Sequence, residues 1–354
     1  MANEPDGSTG PSFPDLLGRV IRGQHLGIDD AELAFRAIME GRTTPVQTAA
    51  FLVALRAKRE HPAEVAGGVR ALRAAMVPVH AHQVDELVDT CGTGGGAVTT
   101  FNISTAAALL AAGAGVRVAK HGNRSFTSRC GSADVLAELG VVIELAPDAM
   151  ARVLEEAGIV FMFAPLLHPA MKHVAPVRRE LGVATVMNIL GPLTNPAGAR
   201  RQVVGVADPA LVELIAGALA ELGHVHALVV HGEPGLDEIS PIGTTDVMEV
   251  KNGVVRRYAL RPDELLEGFR SDSIDDLAGG EPDHNARMVA GVLAGNVHGT
   301  ARSAVLLNAG AAIYIGGRAE SIADGVRAAA HALDSGAGTA ALDRLRAATL
   351  AARA

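Results

Sequence analysis

Asp85-Glu-Leu-Val-Asp-Thr90-Cys-Gly-Thr-Gly-Gly-Gly96 is the stretch on which the reading of the fold turns. Glu86 to Thr90 reads as a short strand running into glycines, and a helix is expected behind it, from about Ser104 to Ala112. A strand that ends in a glycine turn and hands over to a helix opens a parallel α/β unit. Upstream the pattern is purely helical, from about Phe13 to Met76. Asp29 to Glu40 has acidic residues in its first turn, apolar Leu33, Ile38 and Met39, and a stop at Gly41. Val46 to Lys58 and Pro62 to Met76 repeat the pattern, with Pro62 placed for a first turn.

Downstream, strands are expected at Val116–Ala119, Val141–Leu145, Ile159–Phe163, Gln202–Val206 and Val225–Val230. Helices fall between them, at Ser132–Leu139 and Pro147–Ala157 among others. Lys251-Asn-Gly253 lies between two alternating runs, Thr245–Val250 and Val254–Leu260, and marks a hairpin. From about Asn285 to Arg353 the chain reads as mostly helical. The class is therefore α/β: a small all-helical domain plus a larger α/β domain with a mainly parallel central sheet. The expected boundaries are a disordered tail at 1–12 and a helical domain at 13–83, on which about 178–200 also packs. The α/β domain would take 84–177 and 201–354.

Composition narrows the function. Aromatics are 3% of the 354 residues and Trp is absent, so Ala, Val and Leu must fill the core. The net charge of -8 argues against general nucleic-acid binding, which needs excess Lys and Arg to neutralise phosphates. The polar, acidic start lacks the basic flank and apolar centre of a signal peptide. The longest nearly apolar run, Ala106 to Val116, is too short for a membrane span. Two cysteines, Cys91 and Cys130, do not make a disulfide framework in a chain this long, so a cytoplasmic protein with reduced thiols is expected.

The chemistry gathers in loops. Glycines in Cys91-Gly-Thr-Gly-Gly-Gly96 let the backbone approach a phosphate, and the helix after Asn102-Ile-Ser-Thr105 offers free N–H groups and a positive dipole end. Thr99, Thr100, Ser104 and Thr105 add hydroxyls. The run is neither a Walker A motif nor a dinucleotide fingerprint, and by itself it also fits a tight turn with an ordinary cap. Lys120-His-Gly-Asn-Arg124-Ser-Phe-Thr-Ser128 follows the next strand, at the edge where open α/β sheets bind ligands. The chain has only four lysines, so Lys120 beside Arg124, Asn123 and three hydroxyls favours anion binding. Ser132 opens a further helix as a cap or phosphate donor. Asp237 and Glu238 follow an apolar strand and suit Mg2+, a hard cation that keeps much of its water; alone, such a pair also fits a surface. Arg178 or Arg179 offers a fork for a carboxylate, or equally a surface ion pair. His168, ahead of a proline, reads in isolation as structural.

Together these segments resemble the anthranilate phosphoribosyltransferase family. The carriers are Gly92-Thr-Gly-Gly95, Asn102-Ile-Ser-Thr105, Lys120-His-Gly-Asn-Arg124 and Gly131-Ser-Ala-Asp134. To these are added His168-Pro-Ala-Met-Lys172, Val177-Arg-Arg-Glu-Leu181, Asn188-Ile-Leu-Gly-Pro-Leu-Thr-Asn-Pro196 and Gly235-Leu-Asp-Glu238. The resemblance spans about Leu16 to Ser335. It implies a nucleoside phosphorylase-like fold, a cleft at the hinge between the domains, and a homodimer formed through the helical domain. It implies transfer of the 5-phosphoribosyl group of phosphoribosyl pyrophosphate (PRPP) to the amine of anthranilate, a step of tryptophan biosynthesis.

The roles implied by position are specific. Gly92, Gly95, Gly96, Thr100, Asn102, Ile103, Ser104 and Thr105 would bind PRPP. So would Lys120, His121, Gly122, Asn123, Arg124, Ser125, Phe126, Thr127, Ser128 and Ser132. Gly92, Asn123, His168 and Arg178 would face anthranilate, while Ser104, Asp237 and Glu238 would serve Mg2+. Lys120, Asn123 and Arg178 are the expected catalytic residues. One departure stands out: Gly96 occupies a position where the family usually has Asp. Either backbone amides compensate for the missing carboxylate, or PRPP affinity and metal dependence change. Thr127 stands where many members have Ser, which keeps the hydroxyl. A nucleoside phosphorylase of this fold would carry a Lys-x-Ser-x-Gly-Gly motif that the chain lacks. An enzyme for another acceptor and a non-catalytic PRPP-binding homologue are the remaining alternatives, and Lys120, Asp237 and Glu238 speak against the second.

Overall fold

The first helices begin where side chains can satisfy their free N–H groups. Ser12 caps α1 (Phe13–Ile21) and Asp15 returns the bond to the cap backbone. α2 (Ile28–Met39) has no side-chain cap, but Asp29 and Asp30 sit at the positive end of its dipole. Thr44 and Gln47 form the same reciprocal box at α3 (Pro45–Lys58), and Pro62 opens α4 (Pro62–Ala75). Each such cap is worth about 1 kcal/mol. The computed structural model describes residues 10–96, 98–125, 129–266 and 273–353. The expected tail thus lies mostly outside the described residues, and Ser12 belongs to a helix cap rather than to a tail.

A single seven-stranded sheet carries the rest, in the order β3-β2-β1-β4-β5-β6-β7. Its strands are β1 (Val88–Gly92), β2 (Val118–Gly122), β3 (Ile159–Phe163), β4 (Arg201–Gly205), β5 (His226–Gly232), β6 (Thr245–Lys251) and β7 (Val254–Leu260). The first five are parallel, and β6 and β7 add an antiparallel hairpin. Asn252 and Gly253 turn that hairpin with φ of 51° and 80°, the left-handed pair a tight two-residue turn requires.

Alternate residues of the central strands feed two cores. Val203, Leu228 and Val230 pack with the helix Ile103–Gly113 and the C-terminal helices. Val204, Val206, Ala227 and Val229 face the other way, into a cluster shared with α1–α4 and with Val174, Met187, Leu190 and Leu193. A period of two along each strand makes this division possible. Burying such a side chain contributes on the order of 2 kcal/mol.

Three expectations are corrected. Val141–Leu145 is not a strand. Val141, Ile143 and Leu145 are buried, but the Val141 N–H goes to the Leu136 carbonyl and the Val142 N–H to Thr349 Oγ1. The alternation reflects burial under a helix, with no neighbouring strand to pair with. Glu86 is also outside the first strand, because Val84–Glu86 forms a 3-10 turn. The second strand lies further along than expected and reaches Gly122, which pairs with Phe163. Lys120 and His121 are therefore held in the sheet rather than in the loop.

β1 lies between β2 and β4, so connections leave it in opposite directions along the sheet. Crevices at such switch points, outside the carboxyl ends of the strands, are where open α/β sheets bind ligands. The loops following β1, β2 and β5 all emerge there.

Candidate active site

The floor of the crevice is shaped by two glycines against which the Asp237 loop is seated, Gly92 facing its side chain and Gly205 its backbone. A Cβ on Gly92 would lie 2.5 Å from Asp237 Oδ2, and one on Gly205 would overlap the Asp237 carbonyl. The loop carrying the acidic pair thus lies directly on the ends of β1 and β4. Gly94 and Gly95 follow with φ of 67° and 77°, exposed and with open space where a Cβ would be. Positive-φ residues in a turn aim backbone N–H groups at an anion. The Gly94 N–H is given to Asp237 Oδ2 at 3.0 Å.

Glu238 reaches the start of the helix Ile103–Gly113, where its Oε1 accepts the Ser104 N–H at 3.1 Å. Asn102 is the cap residue of that helix but makes no side-chain cap bond. Burial followed by the neighbouring Asp237 raises the Glu238 carboxyl to about 8, against the opposing pull of Lys120 and the Ser104 amide. Burial also raises Asp237, against the Gly94 N–H. Two adjacent carboxylates that resist ionisation mark a place short of positive charge.

Lys120 supplies part of that charge from behind. Its ammonium donates to the Thr90 carbonyl at 2.5 Å, to Thr90 Oγ1 at 3.2 Å and to Ser104 Oγ at 3.3 Å. All three protons are therefore directed into the protein. Lys120 acts as a fixed charge that orients Ser104, not as a side chain extended into the cleft. Burial lowers its pKa while Asp89 opposes the shift. Asp89 is itself fully buried in β1 and accepts from the His121 N–H, Asn195 and Gln202.

His121 and His168 meet at 3.1 Å between their Nε2 atoms. Burial brings His121 to about 3 and His168 to about 4, so both rings are neutral at physiological pH. One must donate and the other accept. Arg178 is half-buried and its pKa is lowered by burial, whereas Arg179 is exposed. Among the described residues no carboxylate pairs with Arg178. A guanidinium in that state invites a carboxylate from a ligand.

Other expected contacts look different. Thr105 is 1% exposed, its hydroxyl unpartnered among the described residues, and Ile103 is equally buried. Neither side chain faces the crevice, because both point into the core from an apolar helix. Ser132 is not the cap of its helix; Gly131 is, and its N–H goes to Asp134. Ser132 Oγ instead donates to the Asn123 carbonyl. Arg124 is tied to Asp134 at 2.6 Å rather than free for an anion. Thr100 pairs with Ala278 through the backbone. A Cβ at Gly96 would sit 3.0 Å from the Gly235 carbonyl, so the glycine is close-packed. Phe126, Thr127 and Ser128 lie outside the described residues.

Sequence reasoning missed Gly205, Asp89 and two buried asparagines. Asn308 binds both the N–H and the carbonyl of Ile239, directly after the acidic pair, and Asn285 contacts Asn102. A polar residue inside an apolar run was the available signal for Asp89 in Leu87-Val-Asp89 and for Asn308 in Leu306-Leu-Asn-Ala309, while Asn285 and Gly205 carried none.

The donor set fits a magnesium ion that arrives with its substrate. Among the described residues no group of three or more His, Cys, Asp or Glu could hold a metal alone. Mg2+ commonly uses one or two carboxylates and completes its shell with water and substrate phosphates. Asp237, Glu238 and Ser104 could supply such a half-shell.

A mainly parallel sheet with a glycine turn, a helix start and an acidic pair at its switch point suits one class, the transferases that handle phosphorylated sugars. The chain matches a family described as "Glycosyl transferase family, a/b domain" over residues 84–339 and its "helical bundle domain" over 14–76. It is 54% identical to the anthranilate phosphoribosyltransferase of Thermomicrobium roseum over 335 residues, 94% of this chain and 95% of that protein. The crystal structure of the Thermus thermophilus enzyme of that name superposes with a TM-score of 0.89 at 45% identity, covering 95% of this chain and 99% of the other. The Saccharomyces cerevisiae enzyme in complex with PRPP and Mg gives 0.85 at 25% identity, covering 96% and 98%, and the same enzyme is also known with 4-fluoroanthranilate. The chain belongs to the anthranilate phosphoribosyltransferase family.

Proposed function

We propose that the protein transfers the 5-phosphoribosyl group of PRPP to the amine of anthranilate, releasing pyrophosphate, as a cytoplasmic step of tryptophan biosynthesis. The observation that carries this reading is the approach of Asp237 and Glu238 to the Gly94–Gly95 turn and to Ser104, at 3.0 and 3.1 Å. Together they bring anion donors and cation ligands to one point, as a pyrophosphate leaving group requires.

In the reaction the bond from ribose C1 to the pyrophosphate oxygen breaks, the amine nitrogen bonds to C1, and the amine proton passes to water. A bound Mg2+ would neutralise charge on the pyrophosphate oxygens, with Asp237, Glu238 and Ser104 as its holders. The Gly95 amide and the positive end of the helix Ile103–Gly113 would favour phosphate oxygens. The Gly94 and Ser104 amides would join them once Asp237 and Glu238 turn to the cation. Lys120 would contribute its field and the orientation of Ser104. The neutral His121–His168 pair and Asn123 would border the acceptor, whose lone pair needs no strong base at neutral pH. Arg178 would hold its carboxylate and so align the amine.

Loss of one charge-assisted bond costs about 1.5–3 kcal/mol, or roughly 10- to 150-fold. Arg178→Ala should therefore raise the KM for anthranilate by about that factor and leave the KM for PRPP nearly unchanged. Steady-state kinetics with each substrate varied in turn make the test. Unaltered anthranilate kinetics would remove Arg178 from this role and, with it, the acceptor side of the reading.

A homodimer through the helical domain accompanies the reading. α1 and α3 pack on one another and expose Ile21, Val46 and Val53 at 65%, 79% and 43%. Light scattering should give twice the 36.3 kDa chain mass, and Val46→Asp should shift it toward one chain. A monomeric wild type would refute the assembly.

A further inference from the structure

The geometry points to Asn285 as a positioning residue that sets Asn102 as a hydrogen-bond donor to the anionic substrate, an inference that rests on the reading of this cleft as a PRPP site. Asn285 lies near the start of the helix Pro282–Leu293 and is 1% exposed. Side-chain amides can face either way, and only their partners decide the direction. Here the decision starts from a group with no choice. The Gly280 backbone N–H, which can only donate, points at Asn285 Oδ1 at 2.8 Å. The Asn285 amide nitrogen must then face the other way, and it donates to Asn102 Oδ1 at 2.8 Å. The Cys130 thiol approaches the same oxygen at 3.4 Å, also as a donor.

With its oxygen so occupied, Asn102 turns its NH2 away from Asn285. One of its hydrogens makes a long contact with the Cys130 carbonyl at 3.4 Å. The second has no other partner among the described residues. The usual use of a cap asparagine, accepting an N–H of its own helix, is forgone here. What the crevice receives beside Ser104 is a donor, the polarity an anion needs. The backbone behind is fixed as well: the Phe101 N–H binds the Leu277 carbonyl and the Gly279 N–H binds the Thr99 carbonyl. The segment holding Asn285 thus braces the whole of Thr99–Asn102.

Asn285→Asp tests the assignment with little change of shape. A carboxylate still accepts the Gly280 N–H but cannot donate to Asn102, so the Asn102 amide should turn over and offer its oxygen to the phosphate. The KM and the calorimetric Kd for PRPP should rise about tenfold or more, while the KM for anthranilate stays within about twofold. In an Asn102→Ala background the same substitution should change PRPP affinity by less than about twofold, because its effect passes through that side chain. Asn285→Ser, neutral and too short to reach Asn102, should reproduce the loss if the aspartate variant does not fold. An equal factor in both backgrounds, or unchanged PRPP affinity in folded variants, would overturn the role of Asn285 alone. An Asn102→Ala protein with normal PRPP affinity would overturn the placement of the substrate as well.

Discussion

Glu238→Gln is expected to lower kcat/KM on the order of 100- to 1,000-fold and at the same time to stabilise the ligand-free protein at pH 8. The loss follows from the geometry. Glu238 spans the helix start at Ser104 and sits beside Asp237, and an amide keeps its shape but holds a cation poorly. The gain follows from the pKa. Burial raises the carboxyl to about 8, well above its usual 4.5, so between those values the folded chain keeps a proton that the unfolded chain has released. Stability contributed by the protonated group is complete below about pH 4.5 and falls as pH rises through the window. Glutamine has no such dependence. The variant's advantage should therefore grow from pH 5 to pH 8, reaching on the order of 1 kcal/mol once the partial exposure of Glu238 to the cleft is allowed for. Urea titrations at both pH values, with PRPP turnover measured alongside, provide the check. A constant stability difference would mean that Glu238 ionises freely in the folded state.

Gly205→Ala should be nearly as damaging, although Gly205 carries no functional group. It ends β4, and a methyl there would occupy the place of the Asp237 carbonyl. Strand and loop cannot both keep their positions. β4 is anchored on both sides, by five paired residues with β1 and five with β5, so the loop is the part that gives way. Asp237 would leave the Gly94 N–H and Glu238 would leave Ser104. Activity should fall by about 100-fold or more, comparable to misplacing a catalytic constellation by an ångström. Circular dichroism should remain that of the wild type, and thermal shift by PRPP with Mg2+ should shrink sharply. Wild-type activity in Gly205→Ala would show that the loop is not seated as described.

What the sequence disclosed and what it withheld differ in kind. Local signals were sufficient where a segment's partner is water or its own neighbour. The helix Pro147–Ala157, the strand Ile159–Phe163 and the Asn252–Gly253 turn could be read directly, whereas the cap at Ser12 falls in a stretch that reads as a tail and that at Thr44 escapes the reading. Val141–Leu145 misled because alternation reports which residues are buried, not whether a strand lies alongside. The motifs located the crevice, since glycine turns and hydroxyl-rich helix starts act through backbone geometry that the sequence encodes locally. They could not say which way side chains turn. Lys120 was expected in the loop as a phosphate ligand, but its place in β2 directs its protons to Thr90 and Ser104. Thr105 was grouped with Ser104, yet one step along a helix turns a side chain by about 100°, from crevice to core. The roles of Asn285, Asn308 and Gly205 depend on contacts between segments far apart in the chain, where no local pattern reaches.

The most direct test of the central reading is the loss of anthranilate fluorescence in the presence of PRPP, with and without Mg2+. Consumption that requires both PRPP and the metal is the expected result, and it would also show that Gly96 suffices where a carboxylate is usual. No consumption by folded protein would contradict the assignment of anthranilate as acceptor.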